Sequence, residues 1–427
     1  MPSHRAHFAH ALLFAITGAS LTALGCSATD AGTSAQAPAA VADGGATQTA
    51  AVVSPFATRP GRAEKVARMK VARDGHTATL LPNGKVLVIG GERISSRAQL
   101  ASVELYDPDT NAWTSLASLP KPRGAHTATL LASGNVLVVG GGVLNAIGVP
   151  SGEEVHRDAL LVDPETGEAK PVGAPRAARH GHQAALLPSG KVLLVGGGGS
   201  GSTQKESKGA GGAIPFAKAL ADAEVFDPAS ETFTSVGPMA EARYAFTLVT
   251  LADGRVLAAG GAGDGEPESL ATAEVFDELK GTFAPAGEFK GADRLHHAAS
   301  RLADGRVLVF GGKKANRFML QDTQVFDPTS GQWTLGPTAG PARTVATLVP
   351  LQEGGALVFG GLSCDNDGCT APTSVQVWSD KGATRVFELS EARSLATATV
   401  LKDGSTLIVG GYGATGDSLM SAERLMP

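Results

Sequence analysis

The sequence predicts an all-β protein: a seven-bladed β-propeller of four-stranded antiparallel blades, its ring closed by the N-terminal strand. Three observations predict it. Gly-Gly pairs begin at Gly90, Gly140, Gly196, Gly260, Gly311, Gly360 and Gly410, in steps of 50, 56, 64, 51, 49 and 50 residues. A repeat of about 50 residues is a propeller signature. An arginine stands 17 residues before each pair, at Arg73, Arg123, Arg179, Arg243, Arg294, Arg343 and Arg393. Ten residues after each arginine comes a polar-Gly turn, from Asn83-Gly84 to Asp403-Gly404, of the kind that supplies the positive φ of a tight hairpin.

The chain starts differently. Residues 1–25 read as an export signal: Arg5 precedes a short apolar run, Ala11 to Leu24, too short for the ~20 residues that span a bilayer. The run ends in Ala23-Leu24-Gly25-Cys26. This resembles the bacterial lipobox, which implies acylation of Cys26 and, with Ser27 following, sorting to the outer membrane. Residues 26–61 are Ala, Thr, Ser, Gly and Asp with Pro38, Pro55 and Pro60. They read as a flexible lipidated tether, because they lack the apolar surface to offset ordering.

Residues 62–427 form the propeller, about 52 per blade (366 residues in seven units). Within a unit, strand a lies between arginine and turn, as at His76 to Leu81. Strand b follows the turn, as at Val86 to Ile89, and its unbroken apolar run predicts burial on both faces. Strand c follows each Gly-Gly, as at Val103 to Asp107 and Ala223 to Asp227. Strand d carries an aromatic, such as Trp113, Phe233, Phe283 or Trp333. The last unit stops after c, whereas Ala67 to Arg73 aligns with Gly237 to Arg243 at the other end. The missing strand is therefore N-terminal, and its pairing would remove the open edge.

Composition excludes several functions. A net charge of −5 leaves no basic field for nucleic acid. Three cysteines are too few for a disulfide scaffold. The chain has 55 glycines in 427 residues, nearly twice the usual ~7%, and the repeated pairs and turns absorb 21 of them (14 + 7).

The repeated string Arg-x-x-His-Thr-Ala-Thr-Leu-Leu-x-Asn/Asp-Gly-Lys/Arg-Val-Leu-Val-x-Gly-Gly resembles the bacterial kelch repeat of the galactose-oxidase-like type. The resemblance covers all seven units. It implies the fold and leaves function open, since such propellers include enzymes, scaffolds and peptide binders. The copper-radical branch would need two tyrosines, two histidines and a cysteine joined to one tyrosine. Here the tyrosines are Tyr106, Tyr244 and Tyr412, and the cysteines beyond Cys26 are Cys364 and Cys369, close together. Copper-radical oxidase chemistry is not expected, and no cofactor is, apart from a weak Ca²⁺ possibility at Asp365 and Asp367.

The b–c and d–a loops should share one face, the top. Loop length varies there, at 143–158 and 198–222, and function commonly resides on variable loops of a rigid scaffold. The candidate ligand-binding set is Arg73, Arg123, Arg179, His180, Tyr244, Arg294 and His296. Arginines at the mouth suit carboxylates, but Glu104, Glu224, Glu274 and Glu423 recur in strand c and offer structural pairing instead. His180 and His296 break the repeat. His76, His126, His182 and His297 share one position that also accepts Phe and Ala, which favours packing between blades over metal binding. Cys364 and Cys369 read as a small disulfide loop. The expected function is an envelope binding module for a protein, peptide or glycan, monomeric, touching membrane through its lipid alone. The alternatives are a sugar-modifying, isomerase-like enzyme at the channel mouth and a purely structural envelope protein.

Overall fold

The computed structural model describes residues 61–426 except 94–95, 97, 145–149, 203–216, 264–268, 316–317 and 366–367. The signal segment 1–25, Cys26 and the tether up to residue 60 lie outside the described residues, as does Asp367.

Every regular element among the described residues is a β-strand, apart from one isolated 3₁₀ residue at Ser96. Seven four-stranded antiparallel sheets account for most of them. The first repeat shows the pattern: strand a is Thr77–Leu80, b is Val86–Ile89, c is Val103–Asp107 and d is Ala112–Ser115. The a–b turn closes when Leu81 N–H donates to Lys85 C=O at 2.8 Å and Gly84 N–H to Leu81 C=O at 2.9 Å. Gly84 has φ +89°, a backbone that glycine adopts without penalty.

The sheet of repeat 7 draws on both ends of the described chain. Its order is Arg62–Val66, Ala422–Met426, Thr406–Val409, Thr397–Val400. The N-terminal strand runs antiparallel to the last one, with Arg62 opposite Met426 and Val66 opposite Ala422. Strand d of this sheet is thus the first strand among the described residues. Strand a of repeat 1, Thr77–Leu80, lies beside Thr127–Leu130 of repeat 2 and beside Thr397–Val400 of repeat 7.

The core is a series of apolar layers between successive sheets. One joins Leu87, Ile89 and Val103 of repeat 1 to Ala128, Leu130, Val136 and Val138 of repeat 2. Another joins Met69, Ala78, Val86 and Val88 to Leu401, Leu407 and Val409 across the chain ends. Strand b is buried along its whole length in every repeat. Each such Val or Leu contributes roughly 1.5–3 kcal/mol through lost water contact. The sparse aromatics sit at fixed c–d pairs: Tyr106–Trp113, Phe226–Phe233, Phe276–Phe283 and Phe326–Trp333, with ring centroids 4.9–5.1 Å apart. Trp113 Nε1 donates to Ala67 C=O at 2.7 Å and Trp333 Nε1 to Ala286 C=O at 2.8 Å, so each indole also ties its sheet to the preceding segment.

Candidate functional site

The segment from each arginine into strand a builds one end of the molecule. Every arginine side chain is fully buried. Its Nη1 donates to the carbonyl of the first glycine of its own pair, at 2.7–3.2 Å in all seven repeats. The second glycine N–H donates to the carbonyl of the next repeat's arginine. Gly91 reaches Arg123 in this way, and Gly411 reaches Arg73. Both glycines are required. A Cβ on Gly90 would sit 2.5 Å from Arg123 C=O, and one on Gly91 would sit 2.5 Å from Asp74 C=O.

The remaining guanidinium nitrogen meets a carboxylate in six repeats. Arg73, Arg243 and Arg393 pair with the strand-c residues Glu104, Glu274 and Glu423 at 2.6–2.8 Å. Arg179 pairs with both Glu224 and Asp222. Arg123 takes Asp158 with two parallel bonds of 2.9 Å, and Arg294 takes Asp322 at 2.6 Å. The glutamates continue the network by accepting backbone N–H groups, as Glu104 does from Lys70 and Val71. Arg73, Arg123, Arg179 and Arg294, expected as ligand-binding residues, are thus buried and paired with the chain's own acids. Their Nη donors are engaged inside the fold, where an unpaired charge would be costly.

The repeated histidines join neighbouring sheets. His76 Nε2 bonds to Thr397 Oγ1, His126 to Thr77, His182 to Thr127 and His297 to Thr247, all at 2.9–3.0 Å. Burial holds their pKa values far below the ordinary 6.5, His126 and His297 at about 3. They are neutral structural links between repeats.

The two residues after each arginine behave differently. The first varies freely: Asp74, Gly124, His180, Tyr244, Leu295, Thr344, Ser394. Each pairs across to the residue after its Gly-Gly, as Asp74 with Glu92 and Tyr244 with Ala262. This pairing puts the d–a and b–c loops at the same end. The second residue is left-handed in every repeat: Gly75, Ala125, Gly181, Ala245, His296, Val345 and Leu395 have φ of 48–57°. Such a conformation is rare for a β-branched residue like Val345 and costs of order 1–3 kcal/mol. Successive repeats touch here, with Gly181 N–H on Ala125 C=O, His296 on Ala245 and Val345 on His296.

These positions form a rim with two kinds of lining. One arc is apolar: Val345, Leu362, Cys369, Leu395 and Tyr412 cluster together. Cys364 and Cys369 are joined as a disulfide and stand opposite each other in a hairpin, Ser363–Asp365 against Gly368–Thr370, that packs on this arc. The other arc holds the unusual polar groups. His180 is buried with neither ring nitrogen bonded, and burial brings its pKa down to about 4. His296 is buried and held neutral by burial, with Lys313 and His297 adding to the effect. Tyr244 is pushed up to about 12 by burial. Asp74 and Glu92 face each other at the junction of repeats 7 and 1. Burial raises both carboxyls, Asp74 strongly, and Glu92 raises Asp74 further, against an opposing bond from Ser418. Gln99 donates to Glu92 at 2.8 Å.

Of the expected set, the structure therefore brings His180, Tyr244 and His296 to the rim. Sequence reasoning missed Asp74, Glu92 and the left-handed positions. The signal available was variability: the residue after each arginine changes in every repeat within an otherwise rigid register.

Residues 59–261 match the KLHDC2/KLHL20/DRC7 Kelch-repeats domain. The chain resembles Alpha-scruin of Limulus polyphemus, 43% identical over 58 residues, which is 14% of this chain and 6% of that protein. It resembles Kelch-like protein 34 of Homo sapiens, 33% identical over 123 residues, 28% of this chain and 18% of that protein. A solved structure, "Novel fungal alcohol oxidase with catalytic diversity among the AA5 family, in complex with copper", matches with a TM-score of 0.63 and 17% identity, over 87% of this chain and 76% of that one.

The four-stranded antiparallel sheets and the structural match fit a β-propeller, and residues 59–261 support kelch repeats within it. The matched segments span less than a fifth of either curated relative, so their activities do not transfer. Cys364 and Cys369 are bonded to each other, and Tyr106 is packed on Trp113. Among the described residues, no three His, Cys, Asp or Glu side chains converge to hold a metal.

Proposed function

We propose that this kelch-repeat propeller is a binding module that recognises a protein, peptide or glycan through its loop-bearing rim. Kelch repeats serve in general for protein–protein binding, which supports the first of these. The observation that carries the reading is the contrast along the arginine segment. The arginines make the same internal backbone bond in each repeat, whereas the next residue changes each time and adjoins the variable b–c loops. In this reading the seven sheets are seven blades in a closed ring, monomeric, with the N-terminal strand completing the last blade. Cys26 carries lipid, and the propeller stands off an outer membrane on residues 26–61, facing the periplasm or the cell surface.

The test is a glycan and peptide array probed with residues 61–427, followed by His180→Ala and Tyr244→Ala on the strongest hits. The reading expects the two substitutions to weaken binding by more than their loss of stability explains, with affinity measured where each variant is fully folded. Absence of any hit favours a structural role in the envelope. For the anchor, acyl labelling of wild type and Cys26→Ala should differ, and equal labelling removes the lipid.

A second reading rests on the Asp74–Glu92 pair. Two facing carboxyls with raised pKa are the equipment of general acid–base catalysis, so a sugar-modifying enzyme would place its chemistry there. Turnover of a sugar panel that Asp74→Asn abolishes would favour it over the binding module.

A further inference from the structure

Seven equivalent arginines give seven views of one environment, and one differs. Carboxylates reach the other six from three positions. One is the strand-c site of Glu104, Glu224, Glu274 and Glu423. The second lies two residues earlier, at Asp158, Asp222 and Asp322. The third lies two residues before the arginine, at Glu241 and Glu391. In repeat 6 these positions are Gln376, Ser374 and Pro341. None carries charge.

Arg343 is accordingly left short. It is fully buried, and its Nη1 makes the usual bond to Gly360 C=O at 3.2 Å. Its Nη2 has no partner. In the other repeats that atom always has one, including hydroxyls at Ser102, Thr272 and Ser421. The neighbouring Gln376 amide does not substitute. Its Oε1 also lacks a partner, and the amide is turned against Gly340. Burial without a counter-charge lowers the Arg343 guanidinium to about 10.

The equivalent position faces solvent in three other repeats. Where Asp158, Asp222 and Asp322 fill it, their side chains are 28–36% exposed while the arginine beneath is wholly buried. Ser374, the equivalent residue, is smaller than aspartate and uncharged. A carboxylate entering from outside would meet a desolvated N–H donor with no competing acid, the arrangement in which charge-assisted bonds are strongest.

We propose that Arg343 is the receptor for one small carboxylate anion from solution, bound where Asp322 stands in repeat 5. The site is independent of whether the rim binds a partner. Six of the seven arginines are neutralised by the chain itself, and the seventh is left to an external carboxylate.

The experiment follows the thermal unfolding midpoint of the protein in sodium formate, against sodium chloride at equal ionic strength. Three chains are compared: wild type, Ser374→Asp and Ser102→Asp. Formate should raise the wild-type midpoint saturably, and more than chloride does. Ser374→Asp should start from a higher midpoint and weaken formate binding at least tenfold, because the chain now supplies the carboxylate. Ser102→Asp, beside an arginine already paired with Glu104, should leave the formate response as in wild type. A flat wild-type response, an equal effect of chloride, or an undiminished response in Ser374→Asp would overturn the proposal.

Discussion

The arginine layer and the rim are one residue apart in sequence and opposite in character. At the arginine, each repeat has the same side chain, full burial and the same carbonyl partner. At the next residue the repeats offer an acid, a glycine, an imidazole, a phenol, a leucine and two hydroxyls. The backbone is held alike at both, through the pairing across each b–c loop and the left-handed residue that follows. The difference teaches that this fold separates an invariant support from a variable rim at single-residue resolution. A side chain may change only after the backbone beneath it has been secured.

The comparison can be broken most strongly at the arginine. Arg179→Met should cost about 3–5 kcal/mol in urea unfolding, because it leaves Glu224 buried without its charge partner. A loss under about 1 kcal/mol would make the layer as dispensable as the rim. The next largest effect is acid sensitivity. His180 is held at about 4 against an ordinary 6.5. Its contribution is therefore present above pH 6.5 and is lost as pH falls toward 4, about 3 kcal/mol in all. His180→Asn should flatten that part of a pH–stability curve, and an unchanged curve would show that the imidazole is not buried. Asp74 has the opposite sign. Its raised carboxyl contributes below the ordinary carboxyl range and loses that contribution as pH rises through its folded value. Asp74→Asn should remove a loss of stability on the alkaline side.

Smaller effects sharpen the contrast. Reducing Cys364–Cys369 should cost about 2 kcal/mol or less, given a loop of five residues' separation. It should be read as the shift in urea midpoint with and without reductant. Ser394→Ala should change stability by less than about 0.5 kcal/mol, or raise it, since the Ser394 hydroxyl is buried without a partner. A larger loss would indicate a bond that the rim depends on.

Much of the scaffold was legible in the sequence because repetition multiplies a weak signal. One Gly-Gly pair says little, whereas seven in register with arginines and turns specify strands a and b. Pairing by Glu104, Glu224, Glu274 and Glu423 could be anticipated because they recur at one strand position. Asp158 and Asp322 could not, because the strand-c position is Leu160 in one repeat and Gln324 in the other. Their acids reach the arginine from a neighbouring position that only the three-dimensional register identifies. Asp74 and Glu92 stay hidden for a related reason. They lie 18 residues apart in the chain (92 − 74), and each alone reads as an ordinary surface acid until the bridge places them together. The orphan at Arg343 is an absence, visible only after the six filled sites are aligned.

The most direct test of the separation is to measure the dissociation constant for the best array ligand and the unfolding midpoint on the same variants, Arg179→Lys and Tyr244→Phe. The account predicts that Arg179→Lys lowers the midpoint and spares affinity, while Tyr244→Phe spares the midpoint and weakens affinity at least tenfold. Loss of affinity in Arg179→Lys at an unchanged midpoint would contradict it, because the arginine would then be contacting the ligand.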